Sequence, residues 1–112
     1  MTSTYDGMMS TAFSHISDAG DCGKVKSFMR QMYISQHIRN APIGGYPADT
    51  HHAESVNATT PDWRAAIHID MGYESYYPPT ELADTIAHEG FHAYFNNDDN
   101  PSAVAFAGRC IV

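Results

Sequence analysis

Positive charge is scarce in this sequence: six Lys and Arg stand against 13 Asp and Glu in 112 residues. The shortfall is uneven, because residues 1–48 carry four basic side chains against three acids while residues 49–112 carry only Arg64 and Arg109 against ten. A phosphate backbone is repelled by that second half, which excludes nucleic acid as its partner. No stretch approaches the roughly 18 consecutive apolar residues of a membrane helix, so no membrane partner is expected. Met1-Thr2-Ser3-Thr4-Tyr5-Asp6 lacks the basic start and apolar core of a secretory leader. That leaves a cytosolic chain, one exported by another route, or a piece of a longer polypeptide. Cysteine is nearly absent: Cys22 and Cys110 do not fix the redox compartment, and free thiols are favoured over a bridge. Repeats and low-complexity tracts are missing, and 43% hydrophobic against 17% charged residues disfavours disorder and coiled coil. The length suits one compact domain over 1–112.

Histidine is plentiful, with seven residues exceeding Lys and Arg together. Histidines amid acids suit a divalent cation. Apolar residues at three- and four-residue spacing predict helices over 8–19, ended by Gly20, and 22–38, capped by Asp21. The methionines on these stripes read as core, and Lys24, Lys26 and Arg30 as a solvated face. Residues 40–62 are rich in Pro, Gly, Asn, Asp and Thr, a loop with at most one short strand. Asn57-Ala58-Thr59 fits a glycosylation sequon, read as incidental without a secretion signal. Residues 64–71 alternate, with Ala65, Ile67, Ile69 and Met71 on one face and Ala66, His68 and Asp70 on the other, predicting a half-exposed strand at a sheet edge. After the Tyr- and Pro-bearing loop 72–79, Thr80 caps a helix over 81–95. Asn100-Pro101 opens a closing helix over 103–111.

The helix over 81–95 carries His88-Glu89-Gly90-Phe91-His92, an H-E-x-x-H pattern. Composition alone produces this pattern about 0.015 times in a chain of this length, so the match is informative. On a helical wheel Leu82, Ala83, Ile86, Ala87, Gly90, Ala93 and Tyr94 form an apolar arc, while Thr85, His88, Glu89 and His92 gather on the opposite one. Two His one turn apart reach a single Zn²⁺, and Glu89 beside them takes a proton from water. Gly90 inside a helix costs about 1 kcal/mol relative to Ala, which marks a close packing contact.

Ile67-His68-Ile69-Asp70, followed by a loop and by Leu82 to Tyr94 with its H-E-x-x-H, resembles the edge strand and active-site helix of the zincin metallopeptidases. The resemblance covers about 64–99, and the first 60 residues resemble no family. It implies a minimal α+β zincin-like domain, a small sheet with its edge strand packed on an active-site helix. It further implies that the edge strand binds an extended peptide or protein substrate, that His88 and His92 ligate Zn²⁺, and that Glu89 is the general base.

The third ligand is open. Gluzincins use a later Glu, and none follows Glu89. Metzincins use the residue ten after the first His, which here is Asp98, as in the snapalysin-like variant. Phe95 replaces the turn-forming Gly of that pattern, and Asn96-Asn97 can supply the turn. A turn one residue later selects Asp99. His51, His52, His68 or a residue outside this sequence complete the alternatives. His15 and His37 read as surface residues. His51-His52 reads as a weak metal pair, since adjacent side chains point apart, and His68 as an exposed strand residue able to line a cleft. Tyr73, Tyr76 and Tyr77 offer hydroxyls for an oxyanion, and Tyr94 belongs to the core.

The sequence therefore predicts a zinc-dependent peptidase. The alternatives are a catalytically inactive zinc-binding or interaction domain, and a toxin or effector metallopeptidase domain cut from a longer chain. Substrate preference and oligomeric state are left open.

Overall fold

A computed structural model describes residues 4–54 and 60–112. The sequon Asn57-Ala58-Thr59 lies outside them. Four helices and a three-stranded mixed sheet follow in the order α1 (Thr4–Ser14), α2 (Gly20–Ile34), β1 (Ile38–Asn40), β2 (Ala48–His51), β3 (Ala66–Ile69), α3 (Pro79–Tyr94) and α4 (Asn100–Cys110). The α+β class expected from the sequence is the one observed. No helix among the described residues is long and apolar enough to cross a membrane.

The sheet runs β1-β3-β2, with β3 parallel to β1 and antiparallel to β2. The strand expected at the edge is thus the central one, and the edge positions fall to β1 and β2. The reason is the short strand β1, whose Ile38–Asn40 pair with Ile67–Ile69 on the side away from β2; Ile67 and Ile69 are fully buried. The alternation expected for this segment holds, since Ile67 and Ile69 face the core while Ala66 and His68 do not.

Helix α3 runs through the middle of the molecule, packed against α1, α2, α4 and β2. Its Leu82, Ala83, Ile86, Ala87, Gly90 and Ala93 are buried, matching the apolar arc. At Gly90 the prediction of close approach is met: a Cβ there would stand 2.5 Å from Val25 Cγ1 and 2.8 Å from Met29 Cγ. Only a residue without a side chain lets α3 cross α2 at this separation.

Several boundaries move, for identifiable reasons. Helix α1 stops at Ser14 because Ile16 is drawn into a bridge with Ile111 and His15 O accepts from Val112 N. Helix α2 ends four residues early, where Gln36 turns left-handed (φ 65°) and Ile38 pairs with Ile67 instead of continuing the helix. Its N-cap is Ala19 rather than Asp21, and α3 starts at Pro79 with Pro78 rather than Thr80 as its N-cap. Proline suits the first helical position, where no N–H is needed. Helix α4 is capped by Asp99, not Asn100. Lys26 is not simply solvated: its ammonium lies 2.9 Å from Asp18.

The cysteines are bonded, correcting the expectation of free thiols. Cys22 at the start of α2 meets Cys110 at the end of α4 with their Cα atoms 5.4 Å apart. The fold brings them together because Ser17 N donates to Cys110 O at 2.7 Å, so the last turn of α4 lies against the α1–α2 junction.

Candidate metal centre

The two histidines of α3 converge as their spacing requires. His88 Nε2 and His92 Nε2 are 3.1 Å apart, close to the roughly 3.3 Å that separates two nitrogens on one tetrahedral zinc. Asn96 adopts the left-handed conformation (φ 49°), the turn expected at Asn96-Asn97, and folds the chain back over the end of α3. This places Asn97 O 2.7 Å from His92 Nδ1. A carbonyl only accepts, so Nδ1 carries the proton and the Nε2 lone pair faces the cleft. That is how metal-ligating imidazoles are oriented.

Glu89 is 5% exposed. Thr50 Oγ1 on the edge strand β2 donates to its Oε1 at 2.7 Å, while Oε2 lies 3.9 Å from His88 Nε2. Burial pushes the Glu89 carboxyl above its ordinary value and Asp49 adds to the effect, against the Thr50 hydroxyl and the two imidazoles. A carboxylate raised in this way holds a proton more readily than an exposed one. The donor atoms of His88, Glu89 and His92 lie within 4.8 Å of one another, so the group can hold a metal ion. The metal's identity is a separate matter.

These residues stand in a cleft of about 730 Å³ between the edge strand β2, α3 and the start of α4. Its lining includes Asp49, Glu74, Glu81, Asp84 and Asp98, with no Lys or Arg. Burial also raises the Asp84 carboxyl, assisted by Glu81 and opposed by His88.

The candidates for a third ligand separate. Asp98 lines the cleft, but its Oδ1 is 2.9 Å from His52 Nε2, and His52 Nδ1 in turn lies 3.1 Å from Asp62 Oδ2. Asp62 is buried and also accepts from Ala53 N and Arg64 N. Asp99 directs its carboxylate to Ser102 as the α4 cap, and those bonds hold its pKa below the ordinary value. His51 and His68 join Asp49 in a different group. An oxygen beside the Nε2 pair is one the sequence reading missed: Asn100 Oδ1, 3.1 Å from His92 Nε2. An amide oxygen at the start of a helix carries no sequence signature, and only the left-handed turn at Asn96 makes it a neighbour.

The hydroxyl candidates also move away. Tyr76 donates to Pro47 O and Tyr73 to Gly45 O, while Tyr77 is exposed and Tyr94 packs edge-on against Phe28. None of the four lines the cleft, whereas Tyr46 does. His15 lies against Val112 O at the far end of the chain and His37 against the neighbouring Ser35 Oγ, both away from the cleft lining.

Comparison of the chain with protein-family models, with characterised proteins and with solved structures gives no match.

Proposed function

We propose that the protein is a zinc-dependent peptidase, and the observation that carries the reading is the facing Nε2 pair of His88 and His92 beside a buried, hydroxyl-anchored Glu89. His88 and His92 would hold the ion, and Asn100 Oδ1 and the Asp98 carboxylate are the donors at the same rim for a third position. Two imidazoles with an oxygen donor form a borderline set, which suits zinc better than calcium or magnesium. Zinc in such a setting supplies Lewis acidity, acidifying water and polarising a carbonyl. The chain's own groups do the rest. Glu89 accepts the proton of the attacking water as its oxygen bonds to the peptide carbon. It returns that proton to the amine nitrogen as the C–N bond breaks. Thr50 fixes the carboxylate so that one oxygen stays free for this exchange. The outer edge of β2 has no strand partner among the described residues, and an extended peptide can pair there. The acidic lining favours cationic side chains around the scissile bond.

Zinc content and turnover of a peptide library test the reading together. Glu89→Gln should retain the metal and lower kcat by about 10²–10⁴-fold. Wild-type protein that binds no zinc, or hydrolysis untouched by Glu89→Gln, would overturn it. A second reading, a metal-binding domain without turnover, draws on one observation: Asp98 and Asp99 are both engaged elsewhere, by His52 and Ser102. Tight zinc with no cleavage of any library member would select it.

A further inference from the structure

A second group of ligating side chains lies across the edge of the sheet, with no residue in common with the first. Asp49 and His51 are two apart on β2 and therefore share a face. The register sets His68 of β3 directly opposite Asp49. His51 Nε2 is 3.1 Å from Asp49 Oδ2, His68 Nδ1 is 3.4 Å from Asp49 Oδ1, and the donor atoms of all three residues lie within 4.8 Å of one another. Oxygen and nitrogen ligands on one tetrahedral ion at about 2.0–2.1 Å stand roughly 3.3 Å apart, so each Asp49–His separation is already of that order, and the three residues are near enough to close on one cation. A separate observation points the same way. Asp49 Oδ1 is buried and accepts no hydrogen bond, although His68 Nδ1 is near it. A buried carboxylate oxygen without a donor is costly unless a positive charge meets it.

We propose that Asp49, His51 and His68 form a second divalent-metal site, one for a borderline transition ion of the zinc class, with solvent completing the shell. Two imidazoles and one carboxylate select against calcium and magnesium, which prefer all-oxygen cages. The consequence for the molecule is mechanical. β2 is held to the sheet through β3 alone among the described residues, and an ion bridging Asp49 and His51 to His68 clamps that edge. Thr50, the residue between the two β2 ligands, is the one bonded to Glu89. Occupancy at Asp49 and His51 therefore fixes the strand whose Thr50 positions the candidate base.

Titration of the metal-free, full-length chain with Zn²⁺, followed by calorimetry and by metal content after dialysis, tests the proposal. The expected result is two ions per wild-type chain. His51→Ala and His68→Ala should each reduce this to one, weakening the lost site by more than about tenfold, while His88→Ala removes the other ion. His51 is largely exposed, so its replacement leaves the fold intact and decides the matter if His68→Ala misfolds. Unchanged stoichiometry in His51→Ala overturns the proposal, as does a single wild-type ion lost only in His88→Ala. A single ion lost in His51→Ala but kept in His88→Ala supports this site and overturns the helix site instead, so the two failures are distinguishable.

Discussion

The two histidine groups are built in different ways. His88 and His92 sit one turn apart on a buried helix, and a backbone carbonyl sets the tautomer of His92. Their separation is a property of the helix, fixed before any tertiary contact forms. His51 and His68 come from separate strands, and they meet only because Asp49 pairs with His68 in register. A one-residue slip of β2 would send Asp49 and His51 to the opposite face and replace them with Thr50. The helical group depends on the layer behind it, and the strand group depends on pairing.

The largest test of that difference is to weaken the helical layer. The Cys22–Cys110 bond joins α2 to α4, both of which pack on α3, and of the sheet only β1 packs on either of them, through α2, among the main contacts. It closes a separation of 88 residues, for which the chain-entropy relation gives about 4–5 kcal/mol. Denaturant unfolding with and without reductant should show a loss of that order, matched by Cys22→Ser. If the strand group is held by pairing, residual native protein after reduction keeps its β2–β3 amide protection while α3 and α4 exchange faster. Uniform loss across both regions would break the distinction.

A smaller perturbation acts on α3 alone. Gly90→Ala gains about 1 kcal/mol of helix propensity but forces a methyl against Val25 and Met29. Overpacking of this kind costs about 1–3 kcal/mol. Val25 is β-branched and stiff, so the packing term should win, with a net destabilisation of up to about 2 kcal/mol in urea unfolding. The lever sits on the same helix as His88 and His92, so their zinc affinity should fall while that of the strand group holds. Wild-type stability in Gly90→Ala would mean that the α2–α3 crossing adjusts freely.

The same contrast explains what could be read from the amino-acid order. The helix with its apolar arc, the placement of His88, Glu89 and His92 on one side, the Gly90 contact and the turn at Asn96 are all local, and periodicity or residue type reveals them. The α+β class followed from such segments. What escaped is non-local. β3 looked like an edge because His68 and Asp70 alternate with aliphatics, and only the existence of β1, hidden at the end of a helical pattern, makes it central. Asn100 reaches His92, and His52 joins buried Asp62 to Asp98, through chain reversals that leave no spacing rule behind. Asp99 was a ligand candidate by count and a helix cap by geometry. The disulfide likewise depends on where α4 ends, which two isolated cysteines do not encode.

Alkaline titration reaches the one element that both groups share. Tyr76 is buried and donates its hydroxyl to Pro47 O, immediately before β2. Burial, with the nearby carboxylates of Glu74 and Asp70, pushes its phenol up to about 12, and burial does the same for Tyr5 beside Asp6. In the unfolded chain a phenol ionises near 10. Unfolded protein therefore loses these protons first, and stability that is fully present below pH 10 drains away as pH rises towards 12. Tyr33, hydrogen-bonded to Asp6, is raised by burial as well, so ultraviolet titration should show three phenols ionising late, one of which disappears in Tyr76→Phe, and the alkaline loss of stability should be shallower in that variant. Between pH 10 and 12 the start of β2 should loosen in the wild type, weakening the Thr50 hold on Glu89 and the Asp49–His68 pairing together. Loss of one contact without the other would show that the two faces of β2 are not mechanically joined.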